Sequence, residues 1–175
     1  VKNEVRFVPG TNVEDDENED FNGVLTKLKP GCKNLVQVLT AALPDTRILY
    51  APGYHKAGAD ESLFPEALEI AKQADVILLT LGGKNGSGSV ATMGEGVDGT
   101  NINLPACQDA FIREVKKLGK PLIGLHFDGR PISSDVADEN LNAILECWNP
   151  AVYTAEAVTD ALLGRLNPSG KMPLS

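Results

Sequence analysis

Short apolar runs alternate with amphipathic stretches along this chain, a rhythm that predicts a mainly parallel sheet with helices on its faces. Val5–Val8 and Arg47–Ala51 each read as a short strand, stopped by Pro9-Gly10 and Pro52-Gly53. Between them Leu35, Val36, Leu39, Ala42 and Leu43 recur at helical spacing after Gly31, which predicts one amphipathic helix. A second helix is expected from near Ser62 to about Gln73, with Pro65 tolerated in its first turn. Asp75 then opens the clearest strand, Val76–Leu81, whose unbroken apolar character suits cover on both faces and predicts the centre of the sheet.

From Gly82 to Asn103 the pattern collapses into Gly, Ser, Thr and Asn, too long a stretch for a mere connection; long loops in such folds are usually functional. Pro105 suits the first turn of a helix running to Leu118, with Gly119 as its stop. Strand Leu122–Phe127 follows, then a turn at Asp128-Gly129-Arg130-Pro131. Ala143–Trp148 reads as a further apolar strand closed by Asn149-Pro150, and Thr154 as the cap of a last helix ended by Gly164. The expected fold is α/β, a three-layer α/β/α sandwich with a mostly parallel sheet.

The 175 residues fit one ordinary domain and exclude a complete barrel enzyme. With 24 acidic against 16 basic residues the formal charge is -8, which disfavours nucleic acid and anionic membrane as partners, since both attract basic faces. Glu14, Asp15, Asp16, Glu17, Glu19 and Asp20 read as a solvated loop, because the calcium-loop spacing with its central Gly is missing. Cys32, Cys107 and Cys147 have neither disulfide nor zinc-site spacing and read as free core thiols. No apolar run is long enough to span a membrane and no signal-like segment opens the chain. With unpaired thiols, this favours a cytoplasmic setting. The start at Val1 rather than Met suggests a piece of something longer.

The Gly-rich loop after the best strand invites a phosphate-binding reading. Gly83 and Gly88 match the outer positions of a Walker A loop, but Ser89 stands where Lys is required. A dinucleotide fingerprint starting at Gly86 and Gly88 would need a third glycine where Ala91 stands, with a helix N-terminus beside it. Within the same loop, Met93-Gly94-Glu95-Gly96-Val97-Asp98-Gly99 sets one carboxylate between glycines and a second three residues on. Flanking glycines let a backbone fold tightly and project an acid towards a ligand.

Five segments, ADVILLTLGG, GEGVDGTNINLP, LGKPLIGLHFDGRPIS, AILECWNP and ALLGRLNPSGKMPLS, occur in series. Together they resemble the second, α/β sandwich domain of glycoside hydrolase family 3, the β-glucosidases and β-xylosidases. That family shows an E-G-x-D-R loop with an x-L-x-L-P tail, a G-K-P strand with N-G-R-P, an A-I-L-x-A-W-x-P strand and a G-x-x-N-P-S-G-x-L-P close. The likeness covers roughly residues 35–175 and leaves 1–34 as an unassigned N-terminal segment with the acidic loop.

The resemblance implies a retaining, exo-acting β-glycosidase, whose Asp nucleophile sits on a separate barrel domain while this domain supplies a Glu general acid/base. Glu95 matches that catalytic Glu. Asp98 matches the acidic residue of the loop motif, with bracing of the loop or contact with sugar or barrel as its roles. Gly99 replaces the usual Arg, which puts any ion pair of that Arg, and so the placing of the loop, in question. The implied partners are the barrel domain and a β-linked oligosaccharide or glycoside, with no cofactor and no metal. Alone the chain is expected to be inactive.

His55 and His126 are far apart in sequence, and His126, within an apolar strand, reads as a packed core residue. Ser87 and Ser89 lack the nucleophile-elbow pattern. Tyr50, Tyr54, Trp148 and Tyr153 are candidates to stack on a sugar, although Trp148, ending a strand expected to be buried, reads first as core or an interdomain contact. A stand-alone carbohydrate-binding or regulatory module, and a nucleotide-binding α/β domain, are the competing expectations.

Overall fold

The computed structural model describes residues 31–55, 58–83, 101–148 and 152–172. The expected strand at Val5–Val8, the acidic run and the loop residues Glu95 and Asp98 lie outside them. The chain divides into two compact units, one holding residues 49–148 and the other holding the helices that precede and follow.

In the unit of residues 49–148 the order is α2 (Phe64–Ala71), β1 (Ile77–Leu81), α3 (Ala106–Lys116), β2 (Leu122–His126), α4 (Asp135–Asn140) and β3 (Ala143–Glu146). The other unit contains α1 (Leu35–Ala42) and α5 (Thr154–Leu162), which pack together. The strands form one parallel sheet in the order β1-β2-β3, with α3 and α4 as the returns. The α/β class with a parallel sheet is what the pattern of apolar runs predicts.

Ile77, Leu79 and Leu81 pair in register with Leu122, Gly124 and His126 and so share a face with them. That face packs on Phe64, Ala67 and Ala71 of α2, on Phe111, Ile112 and Val115 of α3, and on Ala137 of α4. The Phe111 ring meets those of Tyr54 and Phe64 edge-on, with centroids 5.3 and 5.0 Å away. Full burial of such a side chain contributes about 1.5–3 kcal/mol. Tyr54 is therefore a packing residue.

Three expectations are corrected. Within the described sheet β2, not β1, is central: the Tyr54 hydroxyl donates to Thr80 O (2.9 Å) on the edge of β1 away from β2. Leu122 and Leu125 of β2 are fully buried. Gly124 allows this, since a Cβ there would lie 2.7 Å from Leu141 Cδ1; close packing rather than apolar content selects the middle strand. Residues 47–51 join no ladder among the described residues. The third strand stops at Glu146 and is an edge strand with Ala143 and Ile144 exposed, so Trp148 does not end a buried strand.

Helix ends follow local chemistry. Asn34 and Gln37 form a reciprocal capping box at the start of α1, each side chain accepting from the other's backbone N–H at 2.9 Å. Thr154 is the first residue of α5 and Tyr153 stands at its N-cap, without a side-chain cap. The lysine of the Gly-Lys-Pro motif is structural: Lys120 Nζ donates to the carbonyls of Ala71, Lys72 and Ala74, where the negative end of α2 favours a cation. Ser134 caps α4, its Oγ accepting from Ala137 N (3.0 Å) and donating to Asp109 Oδ1 (2.9 Å) on α3.

Candidate functional site

The stretch 84–100 leaves the sheet at the carboxyl end of β1 and returns at residues 101–105 ahead of α3. Its departure point is tightly held. Gly82 has φ +130°, and a Cβ on it would lie 2.2 Å from Phe127 O and 2.7 Å from Asp128 Oδ1, so only glycine fits. The Gln108 side chain then takes the place of a strand neighbour, donating from Nε2 to Gly82 O (2.7 Å) and accepting from Gly82 N at Oε1 (2.9 Å). Gly83 N donates to Asp128 Oδ1 at 3.0 Å. At the return point Ser133 N donates to Ile102 O (2.9 Å), Asn103 bridges to Ser133 in parallel, and Leu104 is buried. Both flanks of the segment that carries Glu95 and Asp98 are thus built into the unit, while those two residues themselves lie outside the described ones.

Gln108 and Asp128 were not singled out in the sequence. A buried Gln one turn into the helix after the loop, and an Asp directly after a strand, are the signals that point to them, because open α/β sheets gather functional groups at strand carboxyl ends.

A second group of side chains meets at the same edge of the sheet. The register pairs His126 with Leu81 on one side and Glu146 on the other, so these residues stand side by side on one face. His126 is buried as expected of a core residue, yet its Nδ1 lies 3.4 Å from Glu146 Oε2. Glu146 Oε1 accepts from Trp148 N (3.0 Å), and Trp148 O accepts from Asp128 N (3.2 Å). Trp148 holds φ 53°, a conformation uncommon for a bulky residue, and so closes a turn linking the ends of β2 and β3.

Asp128 is fully buried. Desolvation pushes its pKa up to about 7, against the opposing pull of the Gly83 N–H and of His126; the Glu146 charge raises it and Arg130 lowers it. Among the described residues, His126 Nε2 and Asp128 Oδ2 are buried without a hydrogen-bond partner. One candidate ligand atom from each of His126, Asp128 and Glu146 falls within 4.8 Å of the others.

Elsewhere His55 Nε2 lies 3.4 Å from Asp60 Oδ2 in a half-exposed pair. Tyr50 and Tyr153 are exposed. Cys32, Cys107 and Cys147 are free thiols, as their spacing predicts. No helix among the described residues is long and apolar enough to cross a membrane.

The described residues form a parallel α/β sheet with acidic side chains at the carboxyl ends of β2 and β3, the edge at which open α/β sheets gather functional groups. The chain matches the glycosyl hydrolase family 3 C-terminal domain over residues 8–175 and belongs to that family. It is 33% identical over 129 residues to a β-xylosidase of Formosa agariphila, covering 74% of this chain and 17% of that protein. It is 36% identical over 115 residues to a periplasmic β-glucosidase of Salmonella typhimurium, covering 66% of this chain and 14% of that protein. Among solved structures it superposes on a Bifidobacterium adolescentis family 3 β-glucosidase with a TM-score of 0.65 at 28% identity, covering 78% of this chain and 20% of that one. A family 3 exo-β-xylosidase in complex with a xylobiose aziridine probe gives 0.62 at 28%, covering 75% and 16%. The chain therefore spans about a sixth of the length of these relatives. It is a C-terminal domain of the β-glucosidase and β-xylosidase type.

Proposed function

We propose that this domain supplies the general acid/base of a retaining, exo-acting β-glycosidase to an Asp nucleophile carried by a barrel domain, and that Glu95 is that acid/base. The observation that carries the reading is the family match over residues 8–175, in which Gly94-Glu95-Gly96 fits the family's loop motif. The anchoring of both flanks of 84–100 at the sheet's carboxyl edge supports it, because an acid that must meet a nucleophile on another domain needs a loop with fixed ends.

Retention requires two carboxyl groups about 5 Å apart, one attacking the anomeric carbon and the other protonating the departing oxygen and then activating water. Glu95 takes the second part. Asp98, three residues on, is a brace or a sugar contact, and the acid role requires that burial or a neighbouring carboxylate raise the pKa of the catalytic Glu. The substrate class is a terminal β-linked glucoside or xyloside. No cofactor enters the reaction.

The test is to assay this chain alone, and joined to its barrel domain, on aryl β-glycosides with a poor leaving group. The chain alone is expected to be inactive, and Glu95→Gln in the joined enzyme to lose about 10² to 10⁴ in rate. Turnover by the isolated chain, or full activity of the joined Glu95→Gln enzyme, overturns the reading.

A further inference from the structure

The group His126, Asp128 and Glu146 has no part in the proposed acid/base chemistry, and a solitary core does not require it. The sheet register sets His126 beside Glu146, while Asp128 follows β2 directly. Asp128 is fully buried and His126 is 5% exposed, yet Asp128 Oδ2 and His126 Nε2 have no hydrogen-bond partner among the described residues. Buried polar atoms are nearly always satisfied, and leaving one unsatisfied is costly. One candidate ligand atom from each of His126, Asp128 and Glu146 falls within 4.8 Å of the others, a grouping able to hold a cation.

The charge points the same way. With the imidazole neutral, as a metal ligand must be, two carboxylates are set against one guanidinium whose charge reaches Asp128, that of Arg130. Burial of an uncompensated carboxylate is unfavourable, and a divalent cation supplies the missing positive charge. Imidazole with two carboxylates suits zinc-class transition ions, whereas calcium and magnesium favour all-oxygen shells.

We propose that His126, Asp128 and Glu146 form a binding site for one zinc-class divalent metal ion at the carboxyl ends of β2 and β3. Asp128 Oδ2, a carboxylate oxygen of Glu146 and an imidazole nitrogen of His126 are its ligands, and a fourth position stays open to water. The three candidate ligand atoms stand within 4.8 Å of one another, and an ion with bonds of about 2.0–2.2 Å draws them closer together on binding. Asp128 Oδ1 keeps its bond to Gly83 N, so the bound ion ties the two strand ends to the start of the stretch 84–100. The site is independent of the role proposed for Glu95.

The experiment uses the full 175-residue chain, stripped with a chelator and titrated with Zn²⁺ against a chromophoric competitor, and with Co²⁺ followed by visible absorption. One equivalent is expected to bind. His126→Ala and Asp128→Asn should each weaken binding at least about tenfold, Cys147→Ser should leave it unchanged, and the Co²⁺ spectrum should lack a thiolate charge-transfer band. Asp128→Asn preserves side-chain size and the acceptor for Gly83, so it tests the site even where His126→Ala misfolds. Absence of stoichiometric binding, retention of binding in Asp128→Asn, or a thiolate band would overturn the proposal.

Discussion

Gln108 and Gly82 are joined by a two-way hydrogen bond: the buried side-chain amide donates to the glycine carbonyl at 2.7 Å and accepts from its N–H at 2.9 Å. A residue on the helix that follows the Gly-rich stretch thereby holds the residue that precedes it. A side chain here supplies both bonds that a neighbouring strand would otherwise make.

Replacing Gln108 with Leu keeps much of the volume and strands a buried donor and a buried acceptor. Leaving each unmade costs about 1–3 kcal/mol. Urea unfolding of Gln108→Leu should show a loss of about 2–4 kcal/mol at unchanged slope. A loss within about 0.5 kcal/mol, typical of an inert surface change, would show that the clamp is not structural.

Gly82→Ala meets two obstacles together, a φ of +130° that L residues rarely adopt and a carbonyl oxygen 2.2 Å from the new Cβ. Repair requires movement of the backbone at Phe127. The variant should be destabilised by more than about 3 kcal/mol or be recovered insoluble, whereas Gly170→Ala, with open space around its Cβ, should behave as the parent in the same thermal melt.

Asp128 sets a pH dependence in the metal-free chain. Its folded pKa is raised to about 7, while in the unfolded chain a carboxyl of this type titrates near 3.9. The folded state therefore holds the extra proton between those values, and this group's contribution to stability is lost as pH rises from about 4 through 7. Asp128→Asn removes the slope. With chelator present, the variant should exceed the parent in stability at pH 8 by on the order of 2–4 kcal/mol, with a smaller gap at pH 5. Equal gaps at the two pH values would mean that Asp128 titrates normally.

Cys147 and Cys107 should be poor nucleophiles in the folded chain. Burial, and then the neighbouring Glu146 charge, push the Cys147 pKa up to about 12, and burial also raises that of Cys107. Since the thiolate is the reactive form, both should label with a disulfide reagent at pH 8 at least about tenfold more slowly than in denaturant. Labelling of Cys147 at its unfolded rate would contradict its burial.

Much of the fold was legible because it depends on local chemistry. The helical spacing of Leu35 and Leu39, the Pro at the first turn of α2 and the Gly119 and Gly164 stops act within a few residues of themselves. The five family segments likewise carry family membership, which the match over residues 8–175 shows. Arg47–Ala51 has the composition of a strand but no ladder partner among the described residues, and the apolar run of β1 falls at the edge of the described sheet. In both places pairing and packing, which are not local, decided.

The sequence alone determined the α/β class, the helices other than α4, the free thiols and family membership, all of which follow from residue type, spacing and short motifs. Only the tertiary structure placed Gln108 against Gly82 and gathered His126, Asp128 and Glu146. Gln108 reaches Gly82 across 26 positions through the packing of α3 on the sheet. The parallel register of β2 and β3 sets His126 beside Glu146, and the chain between them carries no periodic sign of that register.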